Sequence, residues 1–413
     1  MNATRLIQGQ ITEESVDLMR ERIGFPNPTL RGGVINDRPW VTMLTADAIR
    51  HYAIGIGDGN PLYLNPDYAK ASRWCASIAP PGIEMAMGWD RSATMDPLRA
   101  KATSKALRGV HLFHSGTETY YWNAVLEGAT LYKSQWVQNV EVKTSSFAGK
   151  SAIVTNDFQY WNDQSIATTS GSNWFVHTER RQIEKSDEVK RKAQDAPAFY
   201  SDEQLAEIDA AYDAEFVRGG DTLYYEDVEI GQALPRMVKG PLTITDLFNL
   251  HIGAGWLTYG NPPFRLAYEN RKMLRGFYSK NEYGAWDTLQ RIHWDMAAAH
   301  EVGVLSTYDI GPVRQSMLNH YLTNFAGDDG WVHYVRCEFR NFNYMGDTTW
   351  LTGSITGKRI DPVLGPLLEV TVAGTNQRGK ENIRGAGRIL CASRSLGPVK
   401  LPPPPPLTPH RTG

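Results

Sequence analysis

Two segments of the chain concentrate residue types that can move protons in enzymes. The first segment carries one carboxylate and reads Gly57-Asp58-Gly59-Asn60-Pro61-Leu62-Tyr63. The second segment follows Asp287 and reads Gln290-Arg291-Ile292-His293-Trp294-Asp295. Carboxylate and imidazole groups are common general acids and bases, so both segments are candidates for proton-transfer chemistry. Each has a plainer interpretation, because Asp-Gly and Asn-Pro are turn dipeptides and a histidine can be a hydrogen-bonded core residue.

Several familiar catalytic motifs are missing from the sequence. His300-Glu301 begins like the zinc-binding H-E-x-x-H motif, but Val304 stands at the position of the second histidine. The glycines that begin at Gly55 lack the last glycine of G-x-G-x-x-G, and no G-x-S-x-G elbow occurs. The three cysteines have neither zinc-site nor disulfide-framework spacing, so we expect no metal site.

Composition limits the class of protein. The 413 residues include 43 Lys plus Arg and 45 Asp plus Glu, so no long-range attraction to nucleic acid or anionic membranes follows. Residues 1–14 lack the apolar region of a signal peptide, and no apolar run approaches the ~20 residues that span a bilayer. Sparse cysteines fit a reducing compartment. We therefore expect a soluble cytoplasmic protein.

A charged segment divides the chain into two arms of similar size. It runs from Glu179 to Gly220 and contains Ser201 and Gln204 at the spacing of a capping box, which predicts a helix start. The predicted units are an N-terminal half (1–180), a helical linker (181–222), a C-terminal half (223–398) and a proline-rich tail (399–413).

The two arms show weak internal repetition. Thr45 and Gly55 match Thr243 and Gly253 at a common offset of 198 residues. In each half, a helix-like segment precedes several runs rich in Val, Ile, Thr and aromatic residues. Helices followed by runs of strands favour an α+β fold with antiparallel sheets, made twice.

Together the two segments resemble the MaoC-like acyl dehydratases, the family of (R)-specific type 2 enoyl-CoA hydratases, over about residues 39 to 394. The family motif reads G-D-x-N-P-(aliphatic)-H, followed by an alanine. The N-terminal half matches this motif from Gly57 to Leu62 but has Tyr63 in place of the histidine. The C-terminal half keeps His293 and Ala299 without the G-D-x-N-P stretch. The resemblance implies a double hotdog, with two curved antiparallel sheets each wrapped on a long helix.

The resemblance further implies addition or removal of water across the α,β double bond of an acyl-CoA thioester. His293 and Asp287 would form the acid–base pair, although the family motif places its aspartate at the position of Thr288 here. Gly311 would supply a backbone N–H to the thioester oxygen. No cofactor is implied beyond the CoA of the substrate, and a homodimer or higher homo-oligomer is expected.

The remaining candidates would contact substrate. With Tyr63 replacing histidine, the N-terminal half is expected to be degenerate and to house the acyl chain. The substrate-binding candidates are Asp58, Asn60, Tyr63, Trp256 near the insertion that precedes His293, and Arg378 near a CoA phosphate.

Two other functions remain open at this point. A hotdog thioesterase uses the same fold for a different reaction and would release free thiol. A non-catalytic partner subunit would show activity after addition of a neighbouring chain, which the broken motifs in both halves would explain.

Overall fold

The computed structural model describes residues 9–30, 38–145, 149–179, 198–255 and 262–408. In chain order, the α-helices of these ranges are α1 (Glu13–Arg20), α2 (Ala46–Gly55), α3 (Pro61–Leu64), α4 (Pro66–Ala71), α5 (Pro97–Ala102), α6 (Asp202–Asp213), α7 (Ile244–Ala254), α8 (Phe264–Met273), α9 (Met296–Glu301) and α10 (Gly311–Ala326). The strands are β1 (Trp89–Asp90), β2 (His111–Tyr121), β3 (Leu131–Ser145), β4 (Gly149–Asn162), β5 (Ala167–Thr178), β6 (Ala233–Lys239), β7 (Tyr278–Lys280), β8 (Trp286–Thr288), β9 (Trp331–Phe339), β10 (Thr349–Asp361), β11 (Gly365–Asn376) and β12 (Glu381–Leu390).

One sheet of ten strands runs through both halves of the chain. Its order is β1-β3-β4-β5-β2-β9-β12-β11-β10-β6, and the pairing of β2 with β9 at the centre is antiparallel. On either side of this junction the strands follow the same order, because β2, β5, β4 and β3 correspond to β9, β12, β11 and β10. The duplication expected from the sequence is therefore visible in the strand order. The strands β7 and β8 form a separate hairpin.

The predicted linker helix and residues 399–408 of the predicted tail both contact the fold, whereas residues 409–413 lie outside the described residues. Helix α6 begins at the capping box of Ser201 and Gln204, as predicted, while residues 180–197 of the predicted linker lie outside the described residues. In the tail, the carbonyl of Pro406 accepts a hydrogen bond from Gln159 of β4 at 3.1 Å. The tail of the C-terminal half is thus attached to the sheet of the N-terminal half.

A pair of equivalent helices packs at the interface of the halves. Thr45 caps α2 and Thr243 caps α7, and the side chain of each accepts a hydrogen bond from a backbone N–H in the first turn. A Cβ atom on Gly253 would lie 2.8 Å from the carbonyl oxygen of His51, and one on Gly55 would lie 2.8 Å from that of Asn249. The two glycines that match at the 198-residue offset are therefore the points of closest approach between the helices.

The halves differ in their central helix. Helix α10 is buried along almost its whole length, including Leu318 and Leu322, and packs against the C-terminal sheet. At the corresponding place after Gly82, the N-terminal half has a 3₁₀-helix, Ile83–Ala86. Gly88 then adopts a φ of +95° with Tyr160 close to its Cα, a conformation that cannot continue a right-handed helix. The α+β double hotdog is confirmed, but a long central helix is present in the C-terminal half alone among the described residues.

None of the described helices is long and apolar enough to cross a membrane.

The helix pair makes a prediction for stability. Gly253→Ala should lower the free energy of unfolding by about 1–3 kcal/mol, because the new methyl group meets the backbone of α2 and overpacks the contact. Gly59→Ala is the matched control, since nothing lies within 4 Å of a Cβ there. Urea unfolding measures both variants. Equal midpoints for Gly253→Ala and the wild type would contradict the close contact.

Candidate active site

His293 occupies the end of a short 3₁₀-helix, Leu289–His293, that follows the β7–β8 hairpin. Its Nδ1–H donates a hydrogen bond to the carbonyl oxygen of Tyr308 at 2.8 Å, and its ring packs edge-on against the Tyr308 ring. Burial lowers the pKa of His293 to about 4, so the imidazole is neutral at physiological pH. Nδ1 holds the proton, so Nε2 carries the lone pair that can accept a proton.

Gly311 is the first residue of α10 and follows the Tyr308 carbonyl that orients His293. Because it opens the helix, its N–H has no carbonyl one turn earlier in the helix to which to donate. No side chain caps this helix end, and the aligned peptide dipoles give it partial positive charge. A buried helix N-terminus of this kind can stabilise negative charge on an oxygen atom.

A pocket of about 2110 Å³, here called the main cavity, joins these two residues. His293, Tyr308 and Gly311 line it from the C-terminal half, and Thr117, Thr119 and Asn173 are among the residues that line it from the N-terminal sheet. Its volume exceeds the ~300–1,000 Å³ of common ligand pockets. Among the described residues, no long helix of the N-terminal half covers β5, and Asn173 and Phe175 of that strand line the cavity only partly buried.

A buried ion pair fixes the loop that leads into α10. The guanidinium of Arg314 lies 3.0 Å from Asp309, and neither side chain is more than 6% exposed. Asn343 donates a hydrogen bond to the same carboxylate oxygen at 3.0 Å. Both charges lie within the first turns around Gly311, so they hold the helix N-terminus in place. Sequence reasoning did not single out this pair, although Asp309 and Arg314 are separated by little more than one helical turn.

Asp287 lies on β8 and is not among the residues that line the main cavity. Its carboxylate accepts a hydrogen bond from the N–H of its neighbour Thr288 at 2.7 Å. The structure therefore brings His293 and Gly311 to one cavity, but it does not bring the predicted carboxylate there with them.

Asp58, Asn60 and Tyr63 lie away from the main cavity, against the C-terminal part of α10. Asn60 donates a hydrogen bond to Asp328 at 3.1 Å, and Asp58 lies 3.5 Å from His320 Nε2. Tyr63 borders a separate small pocket of about 40 Å³. In this structure the motif has two structural roles. The side chain of Asn60 caps α3, and its hydrogen bond to Asp328 joins the N-terminal half to the C-terminal half. This location separates all three from the predicted contact with substrate.

Asp58 belongs to a buried charge cluster that also contains Glu215, Lys239 and His320. Lys239 Nζ lies 3.6 Å from Glu215 and 2.9 Å from His320 Nδ1. Burial raises the pKa of Asp58 to about 6 and lowers the pKa of Lys239. Charges taken out of water need partners, so the two carboxylates of this cluster depend on the single cation of Lys239.

The other two substrate-binding candidates have different outcomes. Arg378 donates two hydrogen bonds to the Asp347 carboxylate, at 2.7 and 2.5 Å, and Asp347 is fully buried. This bidentate pair gives Arg378 a structural role in the turn between β11 and β12. Trp256 lies outside the described residues.

The comparisons with known proteins agree with this architecture. Residues 32–169 match the family described as the FAS1-like dehydratase domain region. A structure described as a MaoC-like dehydratase has a TM-score of 0.58 at 13% identity, with 91% of this chain and 100% of that chain covered. A Chloroflexus aurantiacus J-10-fl protein described as a MaoC domain dehydratase has a TM-score of 0.50 at 13% identity, with 85% and 93% covered.

The chain has the double-hotdog fold of the MaoC-like dehydratases. The resemblance drawn from its sequence motifs is thereby confirmed at the level of the fold, and the family match supports it for the N-terminal half. A Mycobacterium tuberculosis protein described as a double hotdog has a TM-score of 0.48 at 13% identity, over 89% of this chain and 98% of that one. No curated protein matches the sequence.

The buried charge cluster makes a prediction that depends on pH. Lys239→Met should lower the free energy of unfolding by about 3–5 kcal/mol at pH 7.5, because it leaves the buried Asp58 and the half-buried Glu215 without their cation. The loss should shrink below about pH 6, where Asp58 takes up a proton and its charge disappears.

Urea unfolding at pH 7.5 and 5.5 measures both effects. Lys143→Met is the control, because that ion pair with Glu141 is largely exposed and should change stability by less than about 1 kcal/mol. An equal loss at both pH values would show that Asp58 does not share the field of Lys239.

Proposed function

We propose that this double hotdog adds water to, or removes it from, the α,β double bond of an acyl-CoA thioester. The observation that carries the proposal is the shared position of His293 and Gly311 at the main cavity. One offers a neutral imidazole nitrogen, and the other offers the N–H of a buried helix end. The descriptions of the matched family and of the similar structures as dehydratases support the same reaction class.

The proposed step in the hydration direction conserves every proton. The thioester oxygen accepts a hydrogen bond from the Gly311 N–H, and a water molecule lies between the substrate and His293 Nε2. As the water oxygen bonds to C3, its proton passes to Nε2 and the π electrons move onto the thioester oxygen. The partial positive charge of the helix N-terminus stabilises this enolate. His293 then returns the proton to C2 on the same face, which regenerates the neutral imidazole.

The acyl chain would extend along the cavity face of the N-terminal sheet, where Thr117 and Thr119 of β2 and Phe175 of β5 line the cavity. This position is consistent with the role expected for a half that lacks a catalytic histidine.

The CoA phosphates would need positive charge at the cavity wall. Arg378 forms an ion pair with Asp347, but other basic residues line the main cavity: Arg38, Arg108, Lys272, Arg275, Arg340 and Lys380. Guanidinium and ammonium groups are the usual phosphate partners, so these side chains would hold the nucleotide end of the substrate. A homo-oligomer stays a prediction from the sequence resemblance.

The proposed role of His293 is tested by substitution. His293→Ala should lower the rate of hydration of a trans-2-enoyl-CoA by about 10²-fold or more, the scale of a general acid–base group. Loss of the conjugated enoyl absorbance reports hydration, and a thiol reagent reports any thioester cleavage. Unchanged turnover in the variant, or release of thiol by the wild type in place of hydration, would overturn the proposal.

Asp287→Asn and Asp58→Asn are the comparison variants. Because neither carboxylate lines the main cavity, we expect both to keep far more activity than His293→Ala. A loss as large as that of His293→Ala in one of them would assign that carboxylate to the reaction.

The position of the acyl chain makes a separate prediction. Thr117→Phe places a ring in the cavity and should lower kcat/KM for a ten-carbon enoyl-CoA at least about tenfold more than for crotonyl-CoA, because steric overlap affects the longer chain. Thr117→Val keeps the side-chain volume and is the control. Equal losses on both substrates would place the acyl chain elsewhere.

A further inference from the structure

A second histidine, His114 of β2, lies directly against Gly311. A Cβ atom on Gly311 would be 2.6 Å from His114 Nδ1, so the imidazole approaches the backbone at the start of α10. Its ring stacks on Phe175 at 4.6 Å between centroids and meets Phe339 edge-on at 5.0 Å. His114 also lines the main cavity. Two aromatic side chains thus hold the ring in place beside the start of α10.

A β-bulge aims His114 into the cavity. Along β2, Thr117, Thr119 and Tyr121 pair with Asn173, Gly171 and Thr169 of β5 on the face that lines the cavity. Regular alternation would place Ser115 on that face. The register shifts between His114 and Gly116, so His114 pairs with Phe175 and takes the inward position instead. Bulges that redirect a side chain are common beside active sites.

The hydrogen bonds of His114 fix which of its nitrogens can react. Nε2 lies 3.1 Å from the carbonyl oxygen of Gly116, which can only accept, so Nε2 carries the proton. Nδ1 therefore holds the lone pair, and among the described residues it has no hydrogen-bond partner. Burial and the nearby Arg314 lower the pKa of His114 to about 4, which keeps the ring neutral. A neutral ring with a protonated Nε2 offers the cavity an acceptor at Nδ1, not a donor.

The proposed hydration needs an acceptor of this kind. Water has two O–H groups, and His293 Nε2 takes the proton from one of them. A second acceptor must orient the other O–H group, and the carboxylate that the sequence motif would supply is replaced by Thr288. Asp287 beside it does not line the cavity. Two acceptors near Gly311 lack a hydrogen-bond partner among the described residues: Oδ1 of Asp309 and Nδ1 of His114. The Asp309 carboxylate is fully buried and paired with Arg314, so the role falls to His114 Nδ1.

We propose that His114 is a second catalytic histidine, whose Nδ1 accepts a hydrogen bond from the water that adds to C3. No bond to His114 is made or broken: the ring fixes the water so that its oxygen lone pair points at C3. This assignment rests on the proposed function. Both halves then contribute a histidine to the active site. The histidine of the N-terminal half comes from strand β2 of its sheet and not from its degenerate motif.

Kinetics of matched variants test the role. His114→Phe keeps the aromatic shape without an acceptor and should lower kcat for crotonyl-CoA by about 10- to 100-fold, with a small change in KM, because water is misplaced while thioester binding persists. His114→Asn keeps an acceptor at the position of Nδ1 and should keep most of the activity that His114→Phe loses. His300→Gln, at an exposed histidine outside the cavity, is the control. Circular dichroism and thermal melting establish that each variant folds.

Measurements of thioester binding test the role of His114 independently of the proposed hydration activity. The 3-hydroxyl of (R)-3-hydroxybutyryl-CoA occupies the position of the added water, whereas butyryl-CoA has no such group. Isothermal titration calorimetry should show that His114→Phe weakens binding of the hydroxylated thioester by about tenfold, the worth of one hydrogen bond, and leaves butyryl-CoA unchanged.

Each outcome decides one claim. If the wild type hydrates crotonyl-CoA and His114→Phe matches it in kcat and in preference for the hydroxyl group, His114 is not catalytic and the proposed function stands. If the hydroxyl preference depends on His114 but no enoyl-CoA is hydrated, the hydroxyl contact holds and the proposed function fails. If the wild type binds neither thioester, both fail.

Discussion

The backbone pairing of β2 with β9 is the contact on which the rest of the molecule depends. It joins two sheets into one and sets Thr117 opposite Cys337 and Tyr120 opposite Tyr334. Side chains reinforce the register, because Arg336 contacts Glu118 at 2.8 Å and the indole of Trp331 donates to the carbonyl of Tyr121 at 2.8 Å. A shift by one residue would turn the cavity face of β2 away from α10.

This junction explains why one helix and two sheets produce a large cavity. In the C-terminal half, α10 fills the concave face of its sheet with Leu318, Leu322 and their neighbours. In the N-terminal half, the chain after Gly82 turns as a short 3₁₀-helix, and Asn173 and Phe175 of β5 line the main cavity. The space meets the N-terminus of α10 because β2 and β9 are adjacent. The proposed chemistry and the proposed acyl site therefore come from the same asymmetry between the halves.

Buried polar groups serve two different purposes on the two sides of α10. At its N-terminus, His293 and His114 are kept neutral by burial, which leaves lone pairs available for proton transfer and hydrogen bonding. At its C-terminal part, the carboxylates of Asp58 and Glu215 share the single cation of Lys239. The first arrangement suits catalysis at neutral pH, and the second attaches the motif of the N-terminal half to the fold.

Much of the fold could be predicted from local sequence patterns. The duplication, the capped helices after Thr45 and Thr243, and the strands with regular alternation all follow short-range patterns. Strand β2 has no such pattern, because its bulge at Ser115 breaks the alternation and Gly116 and Glu118 are weak strand formers. The loss of the N-terminal central helix was missed, since it depends on Gly88 and on its contact with Tyr160 of a distant strand.

Part of the site could also be predicted from local sequence patterns. His293 and Gly311 stand in recognisable local motifs, and the structure brings both to the main cavity. The location of Asp58 and Asn60 could not be read, because Asn60 meets Asp328 at a separation of 268 residues. His114 had no sequence signal, since its approach to Gly311 exists only after the two halves pair.

The central claim is that a thioester binds across the halves, with its carbonyl at the start of α10. A crystal structure with (R)-3-hydroxybutyryl-CoA bound tests this claim most directly. The account predicts that the thioester oxygen lies within hydrogen-bond distance of the Gly311 N–H, with the 3-hydroxyl between His293 and His114 and the chain on the face of β2 and β5. Binding of the thioester outside the main cavity, or with its carbonyl away from Gly311, would contradict the account.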